Sequence, residues 1–183
     1  MRATASIYAQ SEGEGMGTLT VSNDSGNAAI GGGLEENSGL ITIHGGEIEA
    51  KTLHLGAAIG GGGGGVYGCD GTVTIYGGSV LAITNKDFGA AIGGGGGSGG
   101  NGGDGTVTIR GGTVEARATL GISFDAAIGG GKRGSGSVEI SGGTITAETS
   151  GYGAGIGGGV EIGGRHARPR GGERKRSCSG PEG

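Results

Sequence analysis

Four residues that could meet a ligand share one place in a repeating chain. Leu55, Phe88, Phe124 and Tyr152 each stand two residues before an Ala-Ala-Ile-Gly-Gly-Gly run or its near-copy Ala-Gly-Ile-Gly-Gly-Gly. Aromatic side chains recurring at one repeat position suit two purposes: a stack that shields a corner of the fold, or a platform on which sugar rings lie. Tyr76 adds a further aromatic to a carbohydrate-binding set of Phe88, Phe124, Tyr152 and Tyr76. Asp70 and Asp104 form a second pair, each preceding Gly-Thr-Val-Thr-Ile. If those segments stack, two carboxylates come close together, which suits a shared Ca2+ completed by loop carbonyls; the other reading is two solvated turn-forming aspartates. The run Gly99-Gly100-Asn101-Gly102-Gly103-Asp104 matches the start of the calcium-binding nonapeptide once, but Thr106 stands where that motif needs an apolar residue.

Other chemistries lack their residues. Gly131-Lys132-Arg133 has neither the Ser or Thr nor the upstream glycine of a phosphate-binding loop. His44, His54 and His166 are isolated, with no Cys/His cluster at metal spacing. No nucleophile–base pair stands out, so the reading is non-enzymatic; a polysaccharide-degrading alternative would have to recruit Asp70, Asp104 and Arg110. Outward-facing threonines offer an ice-binding alternative, with Thr72, Thr106 and Ser137 in one rank and Thr42, Thr74 and Thr108 in another, interrupted by Leu40 and Glu139. Ordinary strand propensity explains the same threonines.

These residues are positioned by three motifs that travel together. The isoleucines of the glycine-rich motif, Ile30, Ile59, Ile92, Ile128 and Ile156, are 29, 33, 36 and 28 residues apart. Alternating segments such as Gly71-Thr72-Val73-Thr74-Ile75 and Gly105-Thr106-Val107-Thr108-Ile109 read as one short strand, and segments such as Ser79-Val80-Leu81-Ala82 and Thr113-Val114-Glu115-Ala116, beyond a Gly-Gly corner, as another. Gly-Gly could also close a hairpin and give an antiparallel meander. The recurrence of the whole three-part unit favours a chain that turns corners, keeps winding and stacks each coil on the last.

The expected fold is all-β: a single-stranded parallel β-helix, or β-solenoid, of about five coils of roughly 28–36 residues with three short strands each. Val73, Val107 and Val138 then stack with Ile41, and Ile75, Ile109 and Ile140 with Ile43. Val80, Val114 and Ile145 stack with Ile48, and the motif isoleucines line the third wall. Residues 1–16 read as an irregular cap or partial coil, 17–164 as the solenoid, and 165–183 as a basic disordered tail. The register fails after Val160-Glu161-Ile162-Gly163-Gly164, and Pro169 would break a ladder. That leaves the last coil without an evident cap and invites end-to-end self-association.

Composition agrees with a thin, repetitive core. There are 54 glycines, only two prolines, no tryptophan and 32% hydrophobic residues among 183. Residues 1–164 carry 7 basic and 15 acidic side chains, and the remainder carries 6 basic and 2 acidic. The tail could bind an anionic surface nonspecifically, but no specific nucleic-acid site is expected. Two cysteines as far apart as Cys69 and Cys178 are not expected to make a disulfide framework. The start, Met1 to Tyr8, has no continuous apolar stretch of a secretion signal, and no segment is apolar enough for membrane insertion. A fragment or a frame-shifted reading is the expectation that follows.

With the three motifs in view, residues 17–164 resemble the Gly-rich repeats of large surface proteins of Gram-positive bacteria, approximately G-x-V-x-I-x-G-G-x-V-x-A followed by A-G-I-G-G-G. That resemblance implies a right-handed parallel β-helix of an adhesin-like, carbohydrate-binding kind. It implies an extracellular or cell-surface setting, with a polysaccharide or a host-cell glycan as partner. The missing signal, the missing wall anchor and the basic tail depart from the family.

Overall fold

The computed structural model describes residues 4–8, 17–84, 88–119 and 123–160. Among them every strand belongs to one of three five-stranded sheets, and all neighbours within a sheet are parallel. The first sheet holds β1 (Ala5–Ile7), β4 (Leu40–Ile43), β7 (Gly71–Ile75), β10 (Gly105–Ile109) and β13 (Gly136–Ile140). The second holds β2 (Thr18–Asn23), β5 (Glu47–Thr52), β8 (Ser79–Thr84), β11 (Thr113–Ala118) and β14 (Thr144–Thr149). The third, along the glycine-rich motif, holds β3 (Ile30–Gly31), β6 (Ile59–Gly60), β9 (Ile92–Gly93), β12 (Ile128–Gly129) and β15 (Ile156–Gly157). Each coil visits the three sheets in turn, so the chain is a β-solenoid with three strands per coil and the meander is excluded.

The core is a set of one-residue-per-coil ladders. Alternation along each strand turns every second side chain inward, and the strand register puts like on like: Ile41 on Val73, Val73 on Val107, Ile48 on Val80, Ile59 on Ile92. Ile41, Ile43, Ile75, Ile59, Ile92, Ile109 and Ile128 are fully buried. Ala50, Ala82 and Ala116 form a ladder of small residues beside them, which lets the second sheet lie close to the others. The N-terminal segment does supply a strand: β1 pairs with β4, Ile7 opposite Ile43.

Two glycine positions have steric causes. Gly60 has φ +143°, and a Cβ there would lie 1.9 Å from the carbonyl oxygen of Gly93 in the next coil. Only a residue without a side chain permits that approach. At the corner between the first two sheets, Gly78 has φ +90°, and its added Cβ would lie 2.5 Å from the Gly46 carbonyl.

One set of hydrogen bonds along the third sheet runs toward the C-terminal end of the stack, while Gly63, Gly96, Lys132 and Val160 N–H, just beyond it, donate the other way to Gly26, Leu55, Phe88 and Phe124. In the first set, Ile30 N–H donates to Ala58, Ile59 to Ala91, Ile92 to Ala127 and Ile128 to Gly155, each at 3.0 Å. Gly32, Gly61, Gly94 and Gly130 donate to Gly60, Gly93, Gly129 and Gly157, each at 2.9 Å. Every amide of this first set points toward the C-terminal end of the stack.

Candidate functional site

Two columns of planar side chains run along the solenoid at different corners. The first follows the first sheet. Tyr8, His44, Tyr76 and Arg110 each come directly after a first-sheet strand, and their backbones are locked in register, with His44 N–H donating to Ile7, Tyr76 to Ile43 and Arg110 to Ile75 at 2.8–2.9 Å. Parallel pairing at this spacing brings the rings face to face. Tyr8 and His44 are 4.2 Å apart at 7° between planes, and His44 and Tyr76 are 5.1 Å apart at 2°. The Arg110 guanidinium lies 5.8 Å from the Tyr76 ring centre, within cation–π range. The column is open to water: Tyr8 is 74% exposed and Tyr76 48%. Ring faces are spent within the stack, so what faces solvent is a line of polar tips: phenol, imidazole, phenol, guanidinium.

The second column precedes the glycine wall. Leu55, Phe88 and Phe124 are equivalent, their carbonyls accepting from Gly96, Lys132 and Val160 N–H respectively. Phe88 stacks on Phe124 at 6.1 Å and Phe124 on Tyr152 at 5.9 Å. The Lys132 ammonium sits 4.2 Å from the Phe88 ring centre and 4.8 Å from that of Phe124. Phe88 and Phe124 are half-buried; Tyr152, the outermost ring, is exposed. Behind them lies Asp125, at a position that Gly56, Gly89 and Gly153 occupy in other coils. Its side chain is buried and accepts a hydrogen bond from the Ser123 hydroxyl at 2.8 Å. Burial pushes the Asp125 carboxyl up to about 6, against hydrogen bonds from Ser123 and from backbone amides that include those of Phe124 and Phe88. The carboxyl therefore ties the two phenylalanine rungs together from inside, and Phe88 holds a positive φ of 84° at this point.

The aspartate pair forms a third ladder, and its partners are backbone amides. Asp70 N–H donates to the Asn37 side chain at 2.7 Å, Asp104 N–H to Asp70 Oδ1 at 2.8 Å, and Ser135 N–H to Asp104 Oδ1 at 2.7 Å. Each side-chain oxygen clamps the start of the next coil, where no regular strand pairing exists. Among the described residues no group of three or more His, Cys, Asp or Glu side chains is placed to hold a metal ion. The donor set around Asp70 and Asp104 does not fit a Ca2+ site built on side chains. Arg110 lies beyond the far end of β10 from Asp104, about 20 Å away over six residue steps of extended chain, so the arrangement a polysaccharide-degrading site would need is not assembled there.

Sequence reasoning therefore named four of the stacked rings, Phe88, Phe124, Tyr152 and Tyr76, but did not connect Tyr8, His44, Lys132 or Asp125 with them. Arg110 had been considered only beside the aspartates. One signal for Asp125 was present: a charge at a position that is glycine in three other coils and Asn27 in the first. Cys69 is buried and disulfide-bonded, which corrects the expectation from spacing; the chain's other cysteine, Cys178, lies outside the described residues, as does the tail from residue 161. No helix among the described residues is long and apolar enough to cross a membrane.

Comparisons with curated proteins and with solved structures find no match. A family model described as the beta helix repeat matches residues 41–63, 73–96, 107–132 and 138–160. Each match starts at one rung of the ladder Ile41, Val73, Val107, Val138 and runs through the second sheet into the glycine wall. The matches span more than half of the chain, in phase with the coils themselves, and this chain belongs to the beta-helix repeat family.

Proposed function

We propose that the chain is a structural and adhesive β-helix module of a secreted or cell-surface bacterial protein, and that it lays a polysaccharide along the Tyr8–His44–Tyr76–Arg110 corner. The observation that carries this reading is the exposed column, whose rungs recur at 4.2 and 5.1 Å. A polymer with a short repeat presents hydroxyls at comparable intervals, so successive sugars meet successive polar tips. Each contact is weak, and the affinity comes from several rungs engaging one chain. Tyrosine suits this use because its body packs in the stack while its hydroxyl reaches water. The exposed Tyr152 extends the same chemistry to the second column, whereas Lys132 on the faces of Phe88 and Phe124 supports a structural role for those two rings.

Affinity electrophoresis through gels cast with different polysaccharides tests the reading. Retardation by at least one polymer, reduced several-fold in Tyr76→Ala and unchanged in Phe88→Leu, is the expected result. No retardation by any glycan, or equal loss in both variants, would overturn it.

A second reading rests on the outward threonines. Register aligns Thr42, Thr74 and Thr108 in one rank, followed by Glu139, and Thr72, Thr106 and Ser137 in the other, preceded by Leu40. Thermal hysteresis lost in Thr74→Val with Thr108→Val would select ice binding instead.

A further inference from the structure

The two ends of the coil stack are complementary to each other. At the last coil the inward residues Ile140 and Ile156 are 43% and 45% exposed, although Ile109 and Ile128, one coil earlier, are fully buried. At the first coil Leu19 is 36% exposed, while Ile48 above it is buried. Among the described residues no strand lies beyond β13, β14 and β15 at one end or β1, β2 and β3 at the other. Among the described residues each apolar ladder therefore ends one layer short.

The glycine wall gives the ends a direction and a shape. In one series Gly32, Gly61, Gly94 and Gly130 N–H each donate to a glycine carbonyl of the next coil, so the next donor in that series is Gly158, and Gly31 carries its first carbonyl with no such donor among the described residues. Gly31, Gly60, Gly93 and Gly129 each leave room for a neighbouring glycine carbonyl, which an added Cβ would meet at 1.9–2.0 Å. Gly157 has the same backbone, with φ +132°, yet among the described residues an added Cβ there would meet only the Ala154 side chain, at 3.7 Å. Among the described residues nothing fills this slot, which is shaped for one more glycine carbonyl.

From this geometry we propose that a second copy of the chain docks its first coil onto the last coil, head to tail. Ile140 then stacks on the second copy's Ile7, Ile145 on its Leu19 and Gly157 on its Gly31. An occupant must bring three parallel strands at the spacing of the solenoid and a glycine on the third, and this chain's own first coil has all of these. Two C-terminal ends would each present the slot at Gly157 and no glycine carbonyl to fill it. The contact is heterologous and leaves a free end on each copy, so it generates an open series of oligomers. The inference does not depend on polysaccharide binding.

Sedimentation velocity of the full chain over a range of concentrations tests it, with Ile140→Lys and Ile156→Lys as independent blocks at one end and Leu19→Lys at the other. The wild type is expected to show a concentration-dependent ladder of species. Each blocked variant alone, with the far-UV spectrum of the wild type, should remain a monomer. An equimolar mixture of Leu19→Lys with either of the other two should stop at a one-to-one dimer, because only one pair of competent ends remains. A wild type that is monomeric at its highest soluble concentration would overturn the proposal. So would a dimer that persists in every blocked variant.

Discussion

The two aromatic columns are built by the same parallel stacking and differ in what surrounds the rings. In the Tyr8–His44–Tyr76–Arg110 column the two tyrosines stand exposed, and the backbone behind is ordinary strand end. In the Phe88–Phe124–Tyr152 column a lysine covers the faces of two rings, a buried carboxyl fastens the rungs from within, and glycines press directly against the backbone. A repeat fold that makes every position into a ladder makes aromatic ladders readily. Their environment, not their stacking, separates a structural rib from an interaction surface.

The same glycine-to-alanine change made beside each column gives the largest expected contrast. At Gly96 an added Cβ would lie 2.4 Å from the Phe88 carbonyl carbon and 2.6 Å from its Cβ, so backbone must move. At Gly77 the nearest atom, His44 O, is 3.4 Å away. Gly96→Ala is expected to cost about 3 kcal/mol or more by urea unfolding, in the range of severe overpacking, and Gly77→Ala to stay within ~0.5 kcal/mol. Similar losses at both sites would erase the distinction.

Next comes truncation of the central ring. Phe124→Ala removes contacts to both neighbouring rings and to Lys132, and should cost ~2–3 kcal/mol, at the low end for a phenylalanine because the ring is half-buried. Tyr76→Ala, at the open column, should cost less than ~1 kcal/mol. A reversed order would assign the structural role to the exposed column.

Protonation of Asp125 sharpens the comparison from within. Its folded value, near 6, lies above the ordinary 3.8, so the folded state holds the proton more tightly. That contribution to stability is fully present below about pH 3.8 and is lost as pH rises through 6. Two pH units of displacement correspond to something on the order of 2–3 kcal/mol. Asp125→Asn keeps an acceptor for the Ser123 hydroxyl and removes the charge, so unfolding followed between pH 4 and pH 7 should lose this slope. An unchanged slope would place the titration elsewhere. The smallest effect is expected for Lys132→Met, which keeps the packing over Phe88 and Phe124 and deletes the cation, at ~0.5–1 kcal/mol in thermal unfolding.

Much of this architecture was legible because a repeat alignment is already a contact map. Equating Val73 with Val107 or Ile59 with Ile92 in sequence states which side chains touch, and the strand register agrees. The exposed column was hidden by chemistry: tyrosine, histidine and arginine share planarity and share neither hydropathy nor charge, so only Tyr76 stood out. Lys132 was weighed against a phosphate loop and dismissed, since nothing local connects it to Phe88 44 residues away. Asp70 and Asp104 were correctly paired, but a carboxylate that clamps an amide and one that awaits a cation look alike in sequence. β1 escaped a firm assignment because the segment joining it to β2 has no counterpart in the repeat.

The close approach of the glycine rungs has a mechanical consequence. Gly31, Gly60, Gly93 and Gly129 each lie so near the carbonyl of the next coil that no side chain would fit between them. The rise per coil along this wall is therefore set by backbone against backbone and does not vary with side-chain size. Loops of different length between the strands leave that rise unchanged, so the solenoid is a rod of fixed pitch whose decoration can vary from coil to coil.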